Sequence, residues 1–189
     1  MKHIELQKLK LEVAVKAKKG VDFIIAASIV WFAIGFIWST SMSSYNKSVF
    51  TFIISSILLP LAFGFSKVLK TQWKVVNNPL QPLGLWLNFA QLFYFPFLVF
   101  VLLTTPDYFI MTYAIITGAH LFPYAWFYDD NSYAIMAGVI SASSLIIGMN
   151  FSTEFMFWLP IFTGFSLLIM ALVLWFSIPK AKKKWESTS

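Results

Sequence analysis

Apolar residues in this chain run in long unbroken blocks, separated by short polar or charged segments. Six blocks are long enough to cross a bilayer as helices: 21–41, 48–66, 83–104, 107–128, 131–150 and 155–178. A spanning helix needs roughly 20 mostly apolar residues. A membrane β-barrel would instead show alternating segments of about ten residues. The pattern predicts an all-α, polytopic membrane protein with a bundle of six transmembrane helices over 21–178. A basic segment at 1–20 precedes the bundle and a basic tail at 179–189 follows it.

The connecting segments read less uniformly. Residues 2–19 are rich in Leu, Lys, Glu, Gln and Ala, which favour a helix, yet "LKLEVAVK" alternates as a strand does. We read a helix that runs into the first block, with its apolar residues split between two faces. Pro79 and Pro82 in "VVNNPLQP" predict an extended or turned path there. In the fifth block Ala137, Ser141, Ser144 and Gly148 form one stripe of small residues, the surface on which another helix packs closely.

Composition reinforces the membrane reading. The chain of 189 residues is 59% hydrophobic and 12% charged, with a mean hydropathy of +0.75. Soluble domains are about half apolar and about a quarter charged. The first 20 residues carry lysines throughout and show neither an apolar signal core nor a cleavage site, so the first block is expected to be retained. Cysteine is absent, which excludes disulfides and thiolate chemistry. Arginine is also absent, and with it the planar fork that clamps phosphate. This Lys-, Ile-, Phe- and Asn-rich usage fits an AT-rich bacterial genome, and hence the bacterial cytoplasmic membrane.

The lysines orient the bundle, because cytoplasmic loops carry the positive excess. They cluster before the first block (Lys2, Lys8, Lys10, Lys16, Lys18, Lys19), after the second (Lys67, Lys70, Lys74) and in the tail (Lys180, Lys182, Lys183, Lys184). Six crossings put all of these on one side and leave only Lys47 on the other, so both termini are expected to be cytoplasmic. Asp129 and Asp130 fall in a turn on the lysine side, where "DDNS" can cap the next helix. The sequence pI near 9.5 does not imply nucleic acid. The lysines serve topology and anionic headgroups, at about 1 kcal/mol each near the surface.

One polar cluster stands out within the blocks. Asn88 and Gln91 lie three apart in "LWLNFAQLFYFPF", on one helical face. Tyr113, Thr117, His120 and Tyr124 form a stripe in the next block. Gln91 and His120 each lie roughly 12 Å from the lysine-side end at 1.5 Å per residue, so Asn88, Gln91, His120 and Tyr124 can converge. Pro96 and Pro123 are expected to break their helices and free the carbonyls of Leu92 and Ala119. Amides and imidazole are costly in hydrocarbon unless they face each other, water or a ligand. No metal-ligand set, cofactor motif or nucleophile motif appears.

The segments "NNPLQPLGLWLNFAQLFYFP" (77–96) and "MTYAIITGAHLFPYAWFY" (111–128) resemble a family of small bacterial integral membrane proteins of unknown function with six predicted helices. The resemblance covers most of the chain and places Asn88, Gln91, Pro96, Gly118, His120, Pro123, Tyr124 and Trp126 in the family pattern. It implies the architecture and no activity. The leading expectation is a protein that binds or transports a small apolar or amphipathic molecule within the bundle. Asn88, Gln91, His120 and Tyr124 would orient the ligand, with Tyr94 and Trp126 as contact area. The alternatives are an accessory protein whose cluster is only a hydrogen-bonded knot, and a membrane enzyme using His120 as acid or base. The expected partners are the lipid bilayer and that small molecule.

Overall fold

The computed structural model describes residues 2–187 and, from Glu5 onward, their side chains. The helices are α1 (Lys2–Lys16), α2 (Val21–Trp38), α3 (Ser44–Ser55), α4 (Leu58–Leu69), α5 (Gln81–Leu92), α6 (Phe95–Thr104), α7 (Phe109–Phe127), α8 (Ser132–Asn150) and α9 (Trp158–Glu186). Short 3-10 turns occupy Lys18–Gly20, Pro106–Tyr108 and Thr153–Phe155. No strand occurs among the described residues.

Five stretches are long and apolar enough to cross a membrane, and they suggest a membrane protein: Lys18–Trp38, Ser44–Leu69, Gln81–Thr104, Ser132–Asn150 and Thr153–Glu186. Helix α7 is as long as α8, at 19 residues, but Thr117, His120, Pro123 and its tyrosines dilute its apolar character. It packs along α8 and also touches α3, α5, α6 and α9. A helix surrounded in this way can carry polar groups that a lipid-facing helix could not.

The strand-like alternation at 9–16 is overridden. Helix α1 has two apolar faces because it has two partners. It lies against α9, and on its other side the 70–80 connection bonds to it through Asn78 Nδ2 to the Leu9 carbonyl at 3.0 Å and Gln72 N to the Lys16 carbonyl at 3.0 Å. Leu11, Val13 and Ala14 are buried as a result.

The prolines behave differently from the sequence expectation. Pro96 does interrupt its block: α5 ends at Leu92, 93–94 form a turn, and α6 begins at Phe95. The second block is also two helices, with a turn at 56–57 before Pro60. Nothing in the hydropathy pattern predicts that break. Pro123, expected to break its helix, does not, because α7 runs unbroken from Phe109 to Phe127. The difference lies in packing. A Cβ on Gly118 would stand 2.6 Å from Ser141 Oγ, so α8 grips α7 closely through the small-residue stripe. Helix α4 buries only Ala62 and Ser66, and α5 buries no residue. Pro179 likewise lies inside α9, which continues through the basic residues to Glu186.

The helices close into an incomplete ring. Helix α4 packs on α2, α2 on α9, α9 on α8, α8 on α7, and α7 on α5. No comparable packing joins α5 back to α4. Beyond the breaks the ring does close, since α3 packs on α6 and the Phe52 and Phe95 rings meet at 5.8 Å. The lysine-rich segments gather at one end. Lys18 Nζ donates to the Leu69 carbonyl at 2.6 Å, Lys19 pairs with Asp130 at 2.6 Å, and Lys10 and Lys184 approach Asp129 at 3.6 and 3.2 Å. At the other end Ser44 bonds to Asp107, and Lys47 donates to the Trp38 carbonyl at 3.1 Å.

Candidate functional site

A cavity of ≈ 120 Å³ lies inside the ring, with α2 facing α7 across it. It adjoins a wider one of ≈ 510 Å³ beside α4 and α5. Ser55, Leu58, Asn88, Gln91, Tyr113 and Tyr128 line both. The α7 stripe forms one wall of the inner cavity: Tyr113, Thr117, His120 and Tyr124 all reach it, as their helical spacing dictates. Asn88 and Gln91 reach it from α5.

These groups converge without pairing. No side-chain hydrogen bond among the described residues links Asn88, Gln91, His120 and Tyr124. The Asn88 amide donates to the Gly84 carbonyl of its own helix at 3.0 Å. The His120 ring meets Tyr124 edge to face at 5.4 Å. The Tyr124 hydroxyl and Thr117 Oγ1 are fully buried and have no partner. Tyr113 is satisfied, donating to Ser55 Oγ at 2.9 Å while its ring stacks on Trp31 at 5.2 Å.

Tyr94 and Trp126 do not line either cavity. Trp126 sits two residues past Tyr124, on a different face of α7, half exposed beneath Lys10 Nζ at 4.6 Å. Tyr94 falls in the 93–94 turn, which takes it out of register with Gln91. Pro96 and Pro123 also lie outside the lining.

Apart from Tyr124, the lysine-side floor is built from residues outside the polar cluster that the sequence points to. Tyr124, Tyr128 and Tyr133 form a trio with ring centroids 5.6–5.9 Å apart. Tyr133 donates to the Lys19 carbonyl at 2.5 Å. Gly20 lies against this trio at φ 69, and a Cβ there would stand 3.2 Å from the Tyr128 hydroxyl and 3.3 Å from that of Tyr133. Helix α2 contributes Phe23, Ile24, Ala27, Val30 and Trp31 to the wall. In the sequence these resemble ordinary core; only "KKG" before an apolar block signals a turn at this point.

Asp22 is buried at the edge of the wider cavity, accepting from Thr71 Oγ1 and Trp73 Nε1, both at 2.6 Å. Trp73 also stacks on Phe23 at 4.8 Å, so the 70–80 connection covers the lysine-side end. Behind the tyrosine trio, Asp130 accepts from Lys19 Nζ at 2.6 Å, from Ser177 Oγ at 3.0 Å and from Ser132 N at 3.0 Å. Burial pushes its carboxyl up, but the bonds from Lys19 and Ser132 outweigh that and hold it below the usual carboxylate range. Among the described residues no three His, Asp or Glu side chains gather as a metal would require.

The arrangement is thus a largely apolar chamber with a few hydrogen-bonding groups on one wall and no protein partner for two of them. No curated protein and no solved structure matches the chain. The model of a family of unknown function, DUF7010, matches residues 6–177, a span that includes every residue lining both cavities, and the chain belongs to that family.

Proposed function

We propose that this chain is a six-span membrane protein that binds a small amphipathic molecule between α2, α5 and α7. The observation that carries the reading is the pair of buried, unpartnered hydroxyls on Tyr124 and Thr117 beside the unpaired Gln91 and His120. A buried polar group without a partner costs about 1–3 kcal/mol. A hydrogen-bonded knot would have satisfied these groups; a site that receives polar atoms from outside leaves them open. The wider cavity, at ≈ 510 Å³, falls in the size range of small-molecule sites, roughly 300–1,000 Å³.

Helix α7 supplies the sixth crossing, shielded by its neighbours. The lysine-rich end, where α1 meets the last turns of α9, faces the cytoplasm of a bacterial cell by the positive-inside rule.

The test is extraction. Protein purified in mild detergent is extracted with organic solvent and examined by mass spectrometry beside Ala27→Phe, which fills the inner cavity. A small molecule retained by the unaltered protein and lost from a variant that elutes identically supports the reading. Equal recovery from both proteins, or none from either, overturns it.

A further inference from the structure

The cavity is closed at the lysine-side end and open at its flank. Helices α4 and α5 each have 12 residues, so the turns at 56–57 and 93–94 lie at matching depths, ~18 Å from that end at 1.5 Å per residue. On the far side of these turns α3 and α6 pack together, sealed by Phe52 on Phe95. On the near side the halves part, α4 going to α2 and α5 to α7. Leu59, Leu85, Phe89 and Leu92 border the resulting seam. Each lines the wider cavity and is 45–61% exposed. Asn88 is exposed as well and lines both cavities. The end itself is covered by Trp73 and the buried Val75, both held by the 70–80 connection. With α4 and α5 as spanning segments of the proposed bundle, the opening would face hydrocarbon and not water.

The lining also selects by charge. The chain has 14 lysines, and among the described residues none lines either cavity. Among the described residues the only acidic one in the lining is Asp22, already bonded to Thr71 and Trp73. A phosphate or carboxylate headgroup would find no cation here, and moving an unpaired charge out of water is very costly. The open groups are an amide, an imidazole and two hydroxyls. They match a headgroup that both donates and accepts hydrogen bonds without charge.

We infer that the seam between α4 and α5 is a lateral portal, through which an uncharged, hydroxyl-bearing amphiphile passes from the bilayer into the cavity. Its hydroxyl reaches Gln91, His120 and Tyr124, and its chain lies along Phe89 and Leu92 toward the lipid. This rests on the ligand-binding reading of the cavity and adds the ligand's chemistry and its route.

The test uses the full chain in phosphatidylcholine vesicles with two diazirine-bearing probes of equal length, a sixteen-carbon alcohol and the corresponding fatty acid as its anion. The expected result is photolabelling of α5 and α7 peptides by the alcohol, lost in Ala27→Phe, with little labelling by the acid. Leu59→Cys and Phe89→Cys are then joined across the seam by bismaleimides of graded length in this naturally cysteine-free chain. Joining before the probe is added should abolish cavity labelling, and joining afterwards should preserve it. Labelling that survives prior joining and still disappears in Ala27→Phe overturns the portal and keeps the site. Equal labelling by alcohol and acid overturns the uncharged headgroup. Absence of cavity labelling, with nothing recovered by solvent extraction, overturns the ligand site itself.

Discussion

Lys19 and Asp130, 111 residues apart in the chain, meet at 2.6 Å with side chains only 6% and 10% exposed. The contact ties the start of α2 to the turn between α7 and α8, and Ser177 brings in α9 by bonding both partners. Removing one member of such a pair leaves the other charge buried, at a cost of about 3–5 kcal/mol. Asp130→Asn should therefore lower the thermal midpoint in detergent substantially, whereas Lys182→Ala, whose pair with Glu186 is exposed, should not.

The pH response of that pair has a definite sign. The Asp130 carboxyl titrates lower in the folded protein than an ordinary carboxylate, since hydrogen bonding outweighs its burial. Its contribution is complete above the unfolded value, about 3.9, and is lost as pH falls through the folded value. Glu12 adds in the same direction, because bonds from Lys16 and Asn78 overcome its burial. Thermal midpoints measured downward from pH 5 should fall more steeply for the native chain than for Asp130→Asn. Parallel curves would contradict the assignment.

Because His120 and Gln91 share no hydrogen bond, His120→Ala and Gln91→Leu should act independently on the empty protein. Each should shift stability little, and Gln91→Leu should not restore a loss caused by His120→Ala. A large loss in His120→Ala that Gln91→Leu restores would show a mutually satisfied pair instead.

Gly20 adopts φ 69 against two tyrosine hydroxyls. A Cβ there brings left-handed strain of about 1–2 kcal/mol and presses on the tyrosine trio. Gly20→Ala should lower the thermal midpoint and alter the near-ultraviolet circular dichroism of the tyrosines. Gly64→Ala, with open space around its Cα, should do neither.

Sidedness can be read with single cysteines and a membrane-impermeant maleimide on intact cells. Asn46→Cys and Ser152→Cys, both exposed at the lysine-poor end, should label directly. Lys74→Cys should label only after permeabilisation. Labelling of Lys74→Cys in intact cells would invert the proposed orientation.

The long-range placement of the α7 stripe opposite Asn88 and Gln91 is legible in the sequence because helical spacing and a short connection leave few alternatives. The meeting of the lysine-rich segments at one end is legible for the same reason. The prolines are not. Pro60, Pro96 and Pro123 each remove one backbone donor, and the neighbouring helix decides whether the ladder breaks. That neighbour is α8 for Pro123, while Pro60 and Pro96 have little beside them. Tyr94 and Trp126 leave the expected site by the same kind of contingency, one by a turn and the other by a helical face. The α2 wall is invisible because an apolar residue facing a cavity has the same sequence signature as one facing another side chain.

The polar residues of α7 have a consequence for how the chain is made. Helix α7 is the one long helix not among those long and apolar enough to cross a membrane by composition, and its most extensive contact is with α8, which follows it through a short turn. It should therefore leave the translocon only as a hairpin with α8, after α8 has been synthesised. A chain truncated after Ser132, with a glycosylation acceptor appended, should hold α7 outside the bilayer in a cell-free insertion assay, while a chain truncated after Asn150 should insert it. The residues that give the chamber its few hydrogen-bonding groups would then also set the order in which the bundle is assembled.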